Sequence, residues 1–324
     1  MVALAGLLAV TLAGVSVFLA PGPAARQGGS TRLVFDPGSG LPGIAVGLER
    51  GGVIRSALLF MAGAKLTGMG GRLKAGEYDI PSRASMAAVM IQIRAGRIVR
   101  HFVTIPEGFS TRQAMAVLRN KPELAGPVDQ PAEGSILPET YQVVRGETRV
   151  HVLARMRAAR DALLARLWAS RAPGLSYRSP EEAVILASIV EKETALPAER
   201  PHIAAVFLNR LKSGVRLESD PTVVYGLTGG VPLGHGLRVS ELQRPTPYNT
   251  YLVAGLPPTA IANPGRAALA AALDPAHSAD LYFVADGSGG HVFSSSLAEH
   301  LKNVARWRGI EEARQAAAPR TGSP

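Results

Sequence analysis

Apolar and polar positions divide the chain into segments of different period. Residues 2–20, VALAGLLAVTLAGVSVFLA, carry no charge and only Thr11 and Ser16 as polar side chains. As a helix this run rises roughly 28 Å, close to the hydrocarbon thickness of a bilayer, so residues 1–20 predict a transmembrane anchor. The small residues of the following PGPAA also fit a cleaved signal peptide, but the run is longer than a typical signal core, which favours a retained anchor. No Lys or Arg lies within residues 1–20 to orient it. With no second apolar span, everything after it is expected on one side of the membrane.

Residues 21–30, PGPAARQGGS, read as a Gly/Pro-rich linker. Over 31–100 the period alternates between two and 3.6. TRLVFDP, LKAGEYDIP and VRHFVTIPEG read as strands, and GIAVGLERGGVI, SALLFMAGAK and SMAAVMIQIRAGR as helices, the last with Met86, Val89, Met90 and Ile93 on one stripe. A small α+β module follows. Residues 101–178 turn helical: STRQAMAVLRN opens on a Ser/Thr cap, and a long helix carries Val152, Leu153, Met156, Leu163, Leu164 and Leu167 as core positions. AEGSILPETY is a loop between them.

Residues 179–310 form the third folded block. Ser179-Pro180-Glu181-Glu182 supplies an N-cap, a first-turn proline and a capping-box acid, starting a helix expected to run to about Ala195. IAAVFLNRLKSG is a second helix, ESDPTVVYGL and QRPTPYNTYLVAGLPPTAIANPG read as loops, and LYFVADGSGGHVFS as a hairpin around Asp286–Gly290. Residues 311–324 grade into a disordered tail.

Composition changes this picture in two places. There are 35 basic and 25 acidic residues, a formal +10, which suits a polyanionic wall, membrane surface or nucleic acid. The basic residues form no block and are not interleaved with aromatics, which disfavours nucleic acid. Cysteine is absent, excluding thiol catalysis, disulfides and Cys-ligated zinc.

The densest candidate chemistry is ILASIVEKETALPAER, with Glu191, Glu193 and Glu199. At 100° per residue Glu193 lies over Leu186, between Ile189 and Val190, while Glu191 points nearly opposite. A carboxylate on the core-facing stripe at a helix C-terminus loses hydration and meets an unfavourable dipole. Both raise its pKa, as a general acid at neutral pH requires, so phase ranks Glu193 above Glu191, which is read as a solvated helix end. Asp220, Tyr225, Tyr248, Asn249 and Tyr251, set among prolines, suit a sugar-binding groove, although Asp220 and Asn249 taken singly fit turn or capping duty equally well. Asn209 completes the expected substrate-binding set. His291 and His300 are read as surface or hairpin residues. H-E-x-x-H, G-x-S-x-G, S-x-x-K and G-x-x-x-x-G-K-[ST] are all missing, and no cofactor or metal is expected.

ASIVEKETALPAERPHIAAVFLNRLKSGVRLESDPTVVYG, with RPTPYNTYLVAGLPPTAIANPG and LYFVADGSGGHVFS downstream, resembles the YceG-like family of endolytic murein transglycosylases. The likeness runs through residues 1–310 and is most specific over 187–265. LKAGEYDIP, TIPEGFS and AEGSILPETY also match, with Ala132 and Glu139 where Pro and Asp are commoner. The resemblance implies an α+β chain: a single transmembrane helix, a LysM-like module over 31–100, a connecting region over 101–178 and a lysozyme-like mixed α/β catalytic domain over 179–310. It implies cleavage of peptidoglycan between N-acetylmuramic acid and N-acetylglucosamine, leaving 1,6-anhydromuramyl ends, with Glu193 catalytic. It also implies a place in the bacterial inner membrane facing the extracytoplasmic side, next to lipid and to peptidoglycan synthases of the penicillin-binding type. A muramidase-type hydrolase, drawing on Asp220 or Glu218 as second acid, and a non-catalytic peptidoglycan-binding scaffold are the competing readings.

Overall fold

The computed structural model describes residues 12–36 and 38–317. Most of the expected membrane run, residues 1–11, lies outside them; residues 12–19 are helical. Among the described residues no helix is long and apolar enough to cross a membrane. The chain forms two compact units. One holds the residues up to Phe102 with Pro122–Ala125 and Gln142–Thr148; the other holds Val103–Lys121, Gly126–Tyr141 and the chain from Arg149 on.

The first unit runs β1 (Ser30–Phe35), α1 (Leu41–Arg50), α2 (Ala57–Leu66), β2 (Gly76–Pro81) and α3 (Met86–Ala95). β1 and β2 pair antiparallel, from Ser30 opposite Pro81 to Phe35 opposite Gly76. Ser56 and Ser85 cap α2 and α3, their hydroxyls accepting the Leu59 and Ala88 amides. Ile44, Leu48, Phe60, Tyr78, Met90 and Ile93 fill the core, and the whole expected stripe of α3 is buried. The 21–30 stretch is fastened to this unit: Gly22 donates to the Arg83 carbonyl (3.1 Å), Arg83 to the Pro23 carbonyl (3.0 Å), and Ala25 to the Ser82 hydroxyl (3.0 Å).

β3 (His101–Thr104) pairs with β4 (Thr140–Val143), and α4 (Thr111–Arg119) lies between them in sequence. The second unit continues through α5 (Arg149–Ala169), α6 (Pro180–Glu193), α7 (Arg200–Lys212), α8 (Asp220–Thr228), α9 (Val239–Leu242) and α10 (Arg266–Leu273). The hairpin β5 (Tyr282–Ala285) and β6 (His291–Ser294), with Ala285 opposite His291, precedes α11 (Leu297–Ala317). α6 is the centre of this unit. Seven of its residues from Ala183 to Val190 are buried, packed against α5, α7, α8 and α10. Its small members, Ala183, Ala187 and Ser188, let neighbours approach from several sides.

Several elements differ from the sequence reading. DPTVVYGLT is the helix α8, because an Asp-Pro pair in the first turn starts a helix rather than breaking one. RAALAAAL gives α10, whose alanines leave no contrast of polarity to read. α6 stops at Glu193 rather than Ala195, with Thr194 extended. Ser179 accepts the Glu182 amide (3.4 Å), but the Glu182 carboxylate leaves the capping box open and takes the Arg178 amide (2.7 Å) and Nε (2.8 Å) instead. Residues 311–317, expected in a disordered tail, continue α11.

Candidate active site

The last turn of α6 delivers Glu193 to a cavity of about 280 Å³ that it lines with Arg210, Glu218, Asp220, Tyr251 and His300. Ser219, itself buried, donates its hydroxyl to Glu193 Oε1. The Ser219 amide donates to Thr250 Oγ1 (3.0 Å), which lies 2.8 Å from Thr222 Oγ1, so the group that holds Glu193 is in turn held. Loss of hydration pushes the Glu193 carboxyl up to about 7; the Asp220 charge adds to the rise, while the Ser219 hydrogen bond and the His291 and Arg210 charges oppose it. Near neutral pH such a group holds comparable acid and carboxylate populations, and can give a proton and take one back in the same turnover.

The turn that carries Ser219 is clamped from below. Arg210, buried in α7, donates to the carbonyls of Leu281 (2.6 Å), Leu217 (2.9 Å) and Arg216 (3.1 Å). Glu218 sits at a left-handed φ of 50°, a costly backbone for a side chain with a Cβ, and its amide is fixed to the Thr250 carbonyl (3.2 Å). On the cavity wall His300 stacks on Tyr282 (5.0 Å between centroids), and its buried Nδ1 has no hydrogen-bond partner among the described residues. Burial, with the Arg210 charge, lowers the His300 pKa, which keeps the ring neutral. Behind Glu193, Thr194 donates to Glu199 Oε2 (3.1 Å), and the Glu199 carboxylate accepts the His291 amide and Nδ1 (2.8 Å each). Burial works to raise the Glu199 pKa, but the His291 bonds outweigh it and hold the group below its ordinary range. A second hollow of about 390 Å³, lined by Lys192, Tyr225, Leu233, His235 and Ile261, shares Asp220 with the first. Among the described residues no cluster of His, Asp and Glu could hold a metal ion.

The model of the YceG-like family matches residues 33–306. The chain belongs to the YceG-like family. It is 29% identical over 299 residues to a Bacillus subtilis protein named endolytic murein transglycosylase, covering 82% of this chain and 81% of that one. A Streptococcus pneumoniae protein of the same name is 26% identical over 316 residues, covering 83% of this chain and 56% of that longer protein. The crystal structure of a putative YceG-like protein from Listeria monocytogenes superimposes with a TM-score of 0.54 at 27% identity, over 84% of this chain and 98% of that one. The resemblance read from E-K-E-T and its surroundings is therefore borne out, and the mixed α+β fold is that of the YceG-like family.

Within this YceG-like chain the expected site residues separate into two groups. Glu193, Asp220 and Tyr251 share the cavity, and the Tyr251 hydroxyl donates to Asp220 Oδ1 (2.7 Å). Tyr225 lines the second hollow, donates to Glu133 Oε2 (3.1 Å) and lies 4.9 Å from the Tyr248 ring. Glu133 also accepts the Thr111 amide (2.7 Å) and Asn263 Nδ2 (3.2 Å), so it anchors Tyr225 from a loop that sequence reasoning treated only as a signature.

Asn209 and Asn249 lie apart from both groups. Asn209 Nδ2 is spent on the Ser278 (2.8 Å) and Asp280 (3.0 Å) carbonyls. Asn249, fully buried, donates to the Leu242 and Arg244 carbonyls and accepts the Tyr251 amide. Both brace loops, and neither lines the Glu193 cavity.

Glu191, read from the sequence as a solvated helix end, is a correction. Its side chain is 5% exposed, 3.0 Å from Arg200 Nη2, and accepts the Gly265 amide at the start of α10 (2.9 Å). Helical phase separates core from solvent only where one face meets water, and α6 is enclosed. Ser219 and Arg210 escaped the sequence reading because a hydroxyl and a guanidinium at these spacings match no catalytic pattern, and His300, read there as a surface or hairpin residue, lines the cavity instead.

Proposed function

We propose that this chain is an endolytic peptidoglycan transglycosylase that cuts the β-1,4 bond between N-acetylmuramic acid and N-acetylglucosamine, with Glu193 as its acid and then its base. The observation that carries this reading is a carboxyl lifted to about 7 on a cavity wall, in a member of a family whose relatives bear that name. Protonated Glu193 donates to the glycosidic oxygen as the bond to the muramyl C1 breaks. The resulting carboxylate takes the proton from the muramyl C6 hydroxyl, whose oxygen closes on C1. Glu193 ends protonated as it began, no water is consumed, and the intramolecular nucleophile removes the need for a second catalytic carboxylate. Asp220, Tyr251, Tyr225 and Tyr248 supply hydrogen bonds and ring faces to the sugars.

In the same reading residues 2–20 anchor the chain by one pass in the bacterial inner membrane, with the remainder extracytoplasmic. The 31–100 region acts as a LysM-like glycan-contacting module. Peptidoglycan synthases are its neighbours, a partnership supported by family resemblance alone. The hydrolytic alternative draws on Asp220 or Glu218, both of which line the Glu193 cavity. Mass spectrometry of the ends made from purified glycan strands separates these readings. Anhydromuramyl ends, lighter by one water than reducing ends, are expected from the native chain and none from Glu193→Gln. Reducing ends would make it a hydrolase, and uncut strands a scaffold.

A further inference from the structure

The first unit leaves one helix face uncovered. Ala57, Phe60 and Ala64 turn α2 into the core, while Leu58 and Leu66 are 75% and 89% exposed, with Leu59 beside them. At 100° per residue the order around the helix is Lys65, Leu58, Ala62, Leu66, Leu59, Gly63. The stripe is therefore apolar from Leu58 to Leu59, bounded by a lysine on one side and by Gly63 on the other.

What borders the stripe at Gly63 is the end of the apolar run. The Phe18 ring lies against Gly63 so closely that a Cβ there would collide with it, and Val17 and Phe18 pack on the core of this unit. Leu12, Val15 and Leu19 of the same run are exposed. Leu66 and Leu58 are only about 5 and 8 Å along the α2 axis from Gly63, at roughly 1.5 Å rise per residue. Nor is there slack after the run. A Cβ at Gly22 would collide with the Ala84 carbonyl, and Gly22, Pro23 and Ala25 are bonded to residues 82–83. The charge of the unit matches an anionic surface: its residues hold twelve Lys and Arg against six Asp and Glu, +6 of the chain's +10.

We propose that α2 is a second membrane contact, lying in the plane of an anionic bilayer with Leu58, Leu59, Ala62 and Leu66 in the lipid interface beside the anchor. The inference rests on the reading of residues 2–20 as a membrane anchor. Lys65 reaches the head groups at the edge of the stripe, as basic residues do on interfacial helices. A run that ends in the bilayer and is clamped to this unit at Phe18 and Gly22 brings the neighbouring face of α2 to the same depth.

The absence of cysteine makes the test direct. Leu58→Cys, Ala62→Cys, Leu66→Cys and, as the anchor reporter, Val15→Cys are each labelled with bimane in the full chain. The labelled chains are reconstituted into phosphatidylcholine–phosphatidylglycerol vesicles. A nitroxide carried on the lipid near its head group is expected to remove at least about half of the emission at 58, 62 and 66, since interfacial helices bury their apolar face roughly 5–10 Å deep. Aqueous iodide should quench these positions weakly. Quenching of Val15 by lipid with 58, 62 and 66 open to iodide overturns the proposal while leaving the anchor intact, and is the pattern expected if the stripe instead takes a protein partner that the vesicles lack. Iodide quenching at all four positions overturns the anchor reading and the proposal together.

Discussion

Replacing Glu193 by glutamine should stabilise the second unit while abolishing cleavage. In the folded state the carboxyl is lifted from 4.5 to about 7, first by desolvation. Between these values the native chain binds more protons than the unfolded one, so the stability associated with this group is complete below pH 4.5 and declines as pH rises through 7. At roughly 1.4 kcal/mol per pH step, the cost reaches about 3 kcal/mol at pH 8 but only about 1 kcal/mol at pH 5. Glutamine keeps the acceptor that Ser219 uses and carries no charge, so Glu193→Gln should gain at most about 3 kcal/mol over the native chain at pH 8, shrinking by about 2 kcal/mol at pH 5. Urea unfolding followed by tryptophan fluorescence reads this unit selectively, because Trp168 and Trp307, the chain's two tryptophans, both belong to it. A stability difference independent of pH, or a variant less stable than the native chain at pH 8, would refute the claim that Glu193 is held desolvated.

The neighbours of Glu193 should move its titration in opposite directions. Asp220→Asn removes a charge that raises the Glu193 pKa and should shift the alkaline limb of the pH–rate profile to lower pH; Ser219→Ala removes a hydrogen bond that lowers it and should shift that limb higher, with a loss of about tenfold or more in rate. Glu191→Ala leaves the buried Arg200 with only the more distant Glu107 carboxylate (3.7 Å) and should cost up to about 3 kcal/mol in denaturant unfolding, whereas Glu191→Gln should still cut glycan strands. Asn249→Ala leaves the Leu242 and Arg244 carbonyls and the Tyr251 amide without their partner; it should destabilise by about 2–3 kcal/mol and raise KM by loosening Tyr251.

The legible parts of the fold were those with contrast. Serine caps, proline first turns and alternating apolar stripes marked β1, α2, α3, α6 and the hairpin, because each sets polar against apolar or rigid against flexible at a fixed spacing. α10 carried no such contrast, and α8 was obscured by reading Asp-Pro as punctuation. Phase selected Glu193 over Glu191, and Glu193 does line the cavity, but the premise was incomplete. Both glutamates leave water, and what separates them is partners: Glu191 meets a guanidinium and a backbone amide, Glu193 a neutral hydroxyl. Such partners arrive from residues 200, 219 and 265, distances along the chain over which spacing rules say nothing. Asn249 illustrates the converse: an amide in a proline-rich loop reads equally as sugar ligand or loop brace, and its bonds to the Leu242 and Arg244 carbonyls are visible only in the fold.

Asp220 is common to the hollow that contains Glu193 and to the one floored by Tyr225 and Ile261. A strand occupying both would cross at that residue, and scission near it would leave the two new ends in separate compartments with separate contacts. Neither end would then depend on the other to depart.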